Sequence, residues 1–391
     1  MAKSGVVLPL EVGLLRICAQ GLVPRMLSSD VVGVVEHLLA MQGQQVSAFP
    51  HALLVRSRGT TGRDVAAAFE QGVLVRHRPM RGTVHITHAR DFHWMRMALK
   101  SEYSSWDQKH YDHLGINEHV TNQAVEVARQ AIRERNGAIF RKELFTTWST
   151  NLSTSHLDLK DMRRWCQWLM FRLAHDGQLI EGPMRANQHL FIDASVLPAA
   201  DSPESGFRLT TDSKDNGRRE IARRYIYGHG PVGIDDLSWW AGITKTAAAD
   251  YLEKALEADT SLSRYQIEED RLIPAKATTD VKERKRLLYM RRDLPDLLAG
   301  QRKEAQELMF LPSFDELYVG YSNRTCLTDS AGDDLICPSH NGMFRPLIIS
   351  EGKLIGVRPV AQGLQWLAKP PKRLADKTER LVQDTLIRVN G

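Results

Sequence analysis

The chain has 391 residues, of which 42% are hydrophobic and 25% are charged. These fractions are typical of globular proteins, and they exclude a fibrous repeat and wholesale disorder. The length excludes a small scaffold that depends on disulfides or metals for stability. The length predicts two to three compact units at roughly 150 residues each. Lysine and arginine (52) outnumber aspartate and glutamate (47), and the net charge of +5 permits nucleic-acid binding without demonstrating it.

The cysteines lie far apart and form no Cys-x-x-Cys pair: Cys18, Cys166, Cys326 and Cys337. This spacing predicts neither a zinc knuckle nor a redox motif, and it favours a reducing cytoplasm. The apolar stretch near the N-terminus is interrupted by Glu11 and Arg16, so we expect no signal peptide. No apolar run approaches the roughly 18 residues that a membrane span requires.

The first predicted unit covers residues 1–116. From Asp30 onward, apolar residues recur every three or four positions, which predicts an amphipathic helix that ends at Gly43. Other patterns in this unit predict helices at 10–20, 63–71 and 89–109 and strands at 49–57 and 82–87.

Two further units repeat one order of elements, three helices followed by two strands, which is the order of a winged helix. In residues 117–205 the predicted elements are 118–135, 141–147, 159–176, 178–183 and 189–192. In residues 206–300 they are 218–227, 234–241, 244–256, 264–267 and 271–274. Gly242 between two short helices, with Thr244 as a cap, is a helix-turn-helix signature. Short helices joined by glycine also occur in helical cores, so DNA binding stays open at this point.

The last segment, 301–391, is richer in strands, with a hairpin at 344–349 and 353–357 before a closing helix at 376–388. We therefore predict an α+β fold in which tandem winged helix-turn-helix units surround a β-rich C-terminal element.

Common catalytic signatures are absent from the sequence, including a phosphate-binding loop, a dinucleotide fingerprint, His-Glu-x-x-His and Gly-x-Ser-x-Gly. The densest histidine group is spread over a predicted strand and helix without a cysteine or carboxylate cluster: His77, His85, His88 and His93. We expect these histidines to be satisfied or exposed, and we expect neither a metal nor a cofactor.

The unusual feature is Met41-Gln42-Gly43-Gln44-Gln45, where glutamines gather at the end of a buried helix. One interpretation is a polar helix terminus whose amides cap free carbonyls. The alternative is a pair of amides that project into a cleft, where each can donate and accept and thereby position a water or a sugar oxygen.

Four segments, spread over nearly the whole chain, resemble the AlkZ-like winged-helix DNA glycosylases: 41–44, 81–85, 311–321 and 342–356. The resemblance implies tandem winged helices around a β-rich element. It also implies the removal of N-alkylated purines, including bulky adducts and interstrand crosslinks left by genotoxic natural products. The family's Gln-Φ-Gln motif, in which Φ is usually aliphatic, falls on Gln42 and Gln44, with Gly43 in the middle position.

Amides suit this chemistry because alkylation puts a positive charge on the purine, which can then leave without an acid. The oxocarbenium-like transition state needs an oriented water and polar contacts more than a strong nucleophile. The motif contains no lysine, so we expect a monofunctional hydrolase without lyase activity.

By the same resemblance, Arg81, Thr83 and His85 line the cleft from one face of a strand; a surface-facing polar stripe is the alternative. The family segment with Asp315, Glu316, Tyr321 and Arg324 either braces the scaffold or touches the lesion, and we favour bracing. The adjacent pair Trp239-Trp240 is predicted to lie in the core.

The sequence thus predicts a monomeric, cytoplasmic DNA-repair glycosylase that acts on double-stranded DNA with alkylated purines, including adducts met in antibiotic self-resistance, and that has no membrane association. The alternative is a winged-helix transcription regulator or architectural protein without catalysis. A regulator usually binds symmetric half-sites as a dimer, whereas this chain carries its units in tandem.

Overall fold

The computed structural model describes residues 6–100, 102–153, 158–185, 188–208 and 211–391. The chain packs as two compact units: unit 1 combines residues 1–65 with 214–391, and unit 2 is residues 66–213. Both helices and sheets are present, which confirms the α+β fold class. The finer division at 116/117, 205/206 and 300/301 stays a prediction. In the described part of the chain, no helix has both the length and the apolar character to cross a bilayer.

The N-terminal part of the chain contains the elements α1 (Leu10–Ala19), α2 (Val31–Leu38), β1 (Ala40–Gln42), α3 (Phe49–Leu54) and α4 (Gly62–Glu70). The side chain of Asp30 caps α2 by accepting a hydrogen bond from the Gly33 N–H at 2.8 Å. The predicted stripe is buried on α2, which ends where Leu39 takes a positive φ of 66°. The helix therefore stops before Gly43, and the glutamine motif starts on a strand.

The strand predicted at 49–57 is wrong. Pro50 lies in the first turn of α3, where a missing N–H costs nothing, and the helix buries Phe49, Ala52, Leu53 and Leu54. Five of the six residues of α3 are buried, so the segment has no exposed face, and an apolar run this short does not distinguish a helix from a strand.

Unit 2 continues with β2 (Leu74–Met80), β3 (Thr83–His88), α5 (Phe92–Leu99), α6 (Ser105–His113), α7 (Glu118–Glu134), α8 (Arg141–Asn151), α9 (Leu159–His175), β4 (Leu179–Arg185) and β5 (Gln188–Asp193). Its strands follow the order β3, β2, β4, β5, with antiparallel pairing throughout. The predicted succession of three helices and a hairpin is present in α7 to β5. Trp148, Trp165 and Leu173 pack at the centre of its core.

The single helix predicted at 89–109 is wrong as well, because α5 and α6 are separate. Ser104 and Asp107 form a capping box at the start of α6, in which Ser104 Oγ accepts the Asp107 N–H at 3.0 Å. A cap of this kind starts a new helix within an otherwise helical pattern.

The chain then returns to unit 1 through α10 (Ser213–His229), α11 (Ile234–Ala241), α12 (Lys245–Ala258), β6 (Leu262–Glu268), β7 (Arg271–Pro274), α13 (Val281–Arg284), β8 (Leu288–Arg291) and α14 (Leu294–Ala305). Gly242 ends α11 with φ 70°, and the Thr244 hydroxyl caps α12 through the Ala247 N–H at 3.2 Å. The prediction that Gly242 separates two short helices and that Thr244 caps the second is confirmed. Strand β6 lies between β7 and β8 in a small antiparallel sheet.

The C-terminal part contains β9 (Met309–Leu311), α15 (Glu316–Val319), α16 (Ser330–Ile336), β10 (Leu347–Ser350), β11 (Lys353–Val357), β12 (Gln365–Trp366) and α17 (Lys372–Asn390). The predicted hairpin is β10 and β11, and the sheet runs in the order β12, β11, β10, β9. Leu14, Ile17, Leu311 and Ile349 share one buried core, so α1 packs with this sheet. The core holds the loop between β9 and α15 in place, and that loop leads directly to Asp315 and Glu316.

Candidate active site

The glutamine motif lies on and just beyond β1 in unit 1. Gln42 is the last residue of the strand and is half-buried, Gly43 is buried, and Gln44 is exposed. Because α2 ends at Leu38, Gln42 lies four residues beyond the helix. The prediction that the motif is the helix terminus is wrong, and the capping interpretation loses the geometry on which it depended.

The side chain of Gln42 has one buried atom that the protein leaves unsatisfied. Its Oε1 is shielded from solvent and accepts no hydrogen bond from the described residues. A buried polar acceptor without a partner costs about 1–3 kcal/mol. Such a cost is tolerated where the group serves a ligand, and an amide oxygen can accept a hydrogen bond from a water or a hydroxyl.

The backbone of Gln42 is held by Glu316, the first residue of α15. The Gln42 N–H donates to Glu316 Oε1 at 2.7 Å. The other oxygen, Oε2, lies 3.4 Å from Trp240 Nε1 and 3.5 Å from His229 Nε2. Glu316 is 2% exposed, and carboxylates are almost never so buried unless they are paired. Sequence analysis placed Glu316 in a family segment that either braces the scaffold or touches the lesion, but it did not pair Glu316 with Gln42.

His229 is fully buried against this carboxylate. Burial is the largest influence on its pKa, which lies below its ordinary value although the hydrogen bond and charge of Glu316 act in the opposite direction. The imidazole is therefore neutral at physiological pH.

Asp315 braces the core and does not line an open cleft. Its two oxygens accept from Arg56 Nη1 and Nη2, each at 2.8 Å, and both side chains are fully buried. Arg56 completes its five N–H bonds with the Gln20 carbonyl, the Ala52 carbonyl and the Gln20 amide oxygen. Asp315 also caps α15 through the Leu317 N–H. The favoured bracing interpretation fits this residue, because no part of it is open to DNA.

Tyr321 is also a core residue. Its hydroxyl accepts from Gln20 Nε2 at 3.0 Å and donates to the His229 carbonyl at 2.8 Å. The Arg16 guanidinium lies 3.8 Å above its ring, an arrangement that a desolvated cation–π contact stabilises. At 0% exposure, the Tyr321 side chain cannot contact DNA, so of the two interpretations of its segment the one in which it touches the lesion does not hold for this residue.

Arg324 is half-buried and lies over an aromatic ring. Its Nε donates to the Tyr318 carbonyl at 2.6 Å, and its guanidinium is 4.3 Å from the Tyr318 ring. Trp240 is fully buried as predicted, but Trp239 is 45% exposed and lies 5.9 Å from the same guanidinium. The prediction that both tryptophans lie in the core is therefore wrong for Trp239, which α11 turns outward.

The predicted strand face with Arg81, Thr83 and His85 belongs to unit 2. Arg81 and Gly82 both have positive φ, 53° and 67°, and form the two-residue turn between β2 and β3. Arg81 is thus outside the strand, which begins at Thr83. Thr83 is half-buried, and His85 is fully buried with Nδ1 3.0 Å from the Thr83 carbonyl. Because His85 is fully buried, it neither lines an open cleft nor belongs to a surface stripe.

His77 is buried and His93 is half-buried, and each has a hydrogen-bond partner, as the sequence predicts. Burial lowers the pKa of His77 to about 3, and its Nε2 lies 2.9 Å from Thr87 Oγ1. His93 Nε2 is 3.1 Å from the Ala194 carbonyl. Among the described residues, no three side chains of histidine, cysteine, aspartate or glutamate are grouped as metal ligands.

The sequence model of one protein family, described as DNA glycosylase AlkZ-like, matches residues 35–389. The chain belongs to the AlkZ-like DNA glycosylase family. The matched range includes β1, both glutamines of the motif, α15, and nearly all of α17. This AlkZ-like chain is therefore a DNA-repair enzyme of the glycosylase class, and its substrate is DNA.

Among solved structures, the chain is similar to the Streptomyces sahachiroi DNA glycosylase AlkZ, with a TM-score of 0.67 at 16% identity. The match covers 97% of this chain and 97% of that protein. At this level of identity the likeness shows a shared fold. A comparison with curated protein sequences gives no match.

Proposed function

We propose that this AlkZ-like glycosylase hydrolyses the bond between deoxyribose and an N7- or N3-alkylated purine in double-stranded DNA. Gln42 and Gln44 are the catalytic residues of this proposal. The observation that carries it is the buried, unsatisfied Oε1 of Gln42, an acceptor held ready for a ligand. The exposed Gln44, two residues further along, supplies a second amide beside it.

The reaction needs little proton chemistry from the protein. The bond from C1′ to the ring nitrogen breaks with its electron pair going to the cationic base, which leaves neutral. A water oxygen then bonds to C1′, and its proton passes to solvent. Gln42 Oε1 accepts a hydrogen bond from this water and orients it, and the Gln44 amide contacts the sugar. Orientation of this kind can replace a strong base when the leaving group is already activated.

The products are a free alkylated base and an abasic site on an intact strand. Residues 40–45 contain no lysine that could attack C1′ and form a Schiff base. The chain is accordingly monofunctional, and strand scission requires a separate alkaline step.

The test is incubation of the protein with a duplex that carries one N7-methylguanine, followed by alkali and electrophoresis. We expect nicks that depend on both the protein and the alkali. The same assay with a bulky N7 adduct and with an N7–N7 crosslink should also release base. The glutamines act on the water and the sugar, and neither of them contacts the base in this proposal. A retarded but intact duplex would overturn the proposal in favour of a non-catalytic binder.

Helix α9 of unit 2 has the surface that duplex binding requires. Three basic residues on it are exposed and form no ion pair with the described residues: Lys160, Arg163 and Arg164. In contrast, both lysines of α12 in unit 1 are neutralised, since Lys254 bonds to Asp215 at 3.1 Å and Lys245 to Asp235 at 2.9 Å. We therefore assign phosphate contacts to α9 and not to α12, although each is the third helix of its set.

The double variant Arg163→Ala/Arg164→Ala should weaken duplex binding about tenfold or more, equally for all sequences. It should also reduce the slope of log affinity against log salt by about 2, because each lost phosphate contact removes about 0.9. Fluorescence anisotropy with undamaged duplex at several salt concentrations measures both quantities.

The matched control for this experiment is Lys245→Ala/Lys254→Ala, which removes the same charge from α12. The duplex affinity and the salt slope of this control variant should stay at the wild-type values. Equal losses in the two double variants would contradict the assignment to α9.

A further inference from the structure

Glu316 lies directly behind the backbone of a catalytic glutamine. The bond from the Gln42 N–H to Glu316 Oε1, at 2.7 Å, joins residues that are 274 positions apart in the chain. Hydrogen bonds to a carboxylate are about twice as strong as those between neutral groups, and a dry interior strengthens them further. Glu316 thus has one oxygen committed to the glutamine motif.

The second oxygen of Glu316 accepts a hydrogen bond from Trp240 and lies near His229. Trp240 Nε1 lies 3.4 Å from Oε2, and His229 Nε2 lies 3.5 Å from it. Gly320 leaves space for the carboxylate, because a Cβ there would come within 2.9 Å of Oε2. The carboxylate is therefore held between α10, α11 and β1.

The strand that carries Gln42 is three residues long and ends at that residue. The hydrogen bond that the Gln42 N–H donates to Glu316 therefore acts at the point where the chain leaves the strand. This bond restrains the peptide at Gln42, and with it the position of the unsatisfied Oε1.

We infer that Glu316 is a positioning residue for glycosidic hydrolysis: it holds the Gln42 main chain so that the Gln42 amide oxygen keeps the place from which it orients water. This inference rests on the proposed function of Gln42. It concerns the hydrogen-bond acceptor of Glu316, not contact of Glu316 with DNA, because the side chain is buried.

Two variants separate this role from bracing. Glu316→Ala removes the acceptor, and it should lower the single-turnover excision rate about 10- to 100-fold, the range associated with a misplacement near 1 Å. Duplex affinity should change less than twofold. Glu316→Gln keeps an amide oxygen for the Gln42 N–H, and it should retain most of the wild-type rate.

Tyr225→Phe is the matched structural control. The Tyr225 hydroxyl donates to the Gly320 carbonyl at 2.6 Å, so the variant removes one buried hydrogen bond from the same segment without touching Glu316 or Gln42. It should lower the melting temperature and leave the excision rate unchanged.

Amide hydrogen exchange in residues 40–44 gives a second readout that does not depend on excision. The segment should be protected in the wild type and in Glu316→Gln, and it should exchange faster in Glu316→Ala. Equal rate losses in the alanine and glutamine variants, or equal losses in affinity and rate, would overturn the inference. A wild-type protein that shows the exchange pattern but excises no base would instead refute the proposed function alone.

Discussion

Replacing Gln42 with alanine should lower the single-turnover excision of N7-methylguanine about 10²- to 10³-fold, the loss typical of removing one oriented polar group from a transition state. The variant removes the acceptor Oε1, which the protein itself does not use. For that reason folding should not suffer, and the free energy of unfolding should stay equal or rise slightly. Excision rates at saturating protein, with duplex affinity measured in parallel, test both statements.

Gln45→Ala is the control for this prediction. Gln45 belongs to the same run of glutamines, but its amide donates to Ser47 Oγ at 3.1 Å within the following turn. The rate should be unaffected by Gln45→Ala and strongly reduced by Gln44→Ala. If Gln45→Ala were as damaging as Gln42→Ala, the motif would be displaced by one register, and a loss of folding in Gln42→Ala would support a purely structural role.

Helix caps and buried stripes made most of the elements predictable. Asp30 before α2 and Thr244 before α12 supply local hydrogen bonds, so sequence alone indicates where those helices start. The hairpin of β6 and β7 is equally local, because only Glu269 and Asp270 separate its paired strands. Predictions of elements were wrong where the pattern was short, as in α3, or where a new helix cap interrupted a helical run, as at Ser104.

The glutamine motif was identified correctly as an unusual feature but was assigned to the wrong element. The apolar stripe of α2 runs past the real end of the helix, since Leu39 adopts a positive φ that a branched apolar residue rarely takes. The helix ends at this point, and the next three residues form β1. A single sequence carries no signal that the helix ends before its apolar stripe does.

The support of the site was not predictable for a different reason. Glu316 lies 274 residues from Gln42, and Asp315 lies 259 residues from Arg56. Pairings of this kind leave no periodic trace in either segment. What the sequence does show is a pair of carboxylates in an apolar stretch, and buried carboxylates require partners. That rule predicts that partners exist without identifying them.

Breaking the ion pair between Arg56 and Asp315 should strongly destabilise unit 1. Asp315→Ala leaves the Arg56 guanidinium buried with only neutral acceptors, since both side chains are fully shielded from solvent. Breaking a buried pair in this way costs about 3–5 kcal/mol. The α15 cap at Leu317 is lost in the same variant. Urea unfolding, followed by tryptophan fluorescence and circular dichroism, measures the change.

Arg302→Ala provides the comparison, because it breaks an ion pair of nearly the same length on the surface of the same unit. Arg302 and Glu11 are 2.9 Å apart with side chains 46% and 36% exposed, and exposed pairs contribute about 0–1 kcal/mol. The difference between the two losses therefore reports the effect of burial together with the lost α15 cap. A loss below about 1 kcal/mol for Asp315→Ala would place the pair in the range of exposed ion pairs. In that case water reaches Arg56 in the folded state, and the dry setting inferred for the neighbouring Glu316 would be wrong as well.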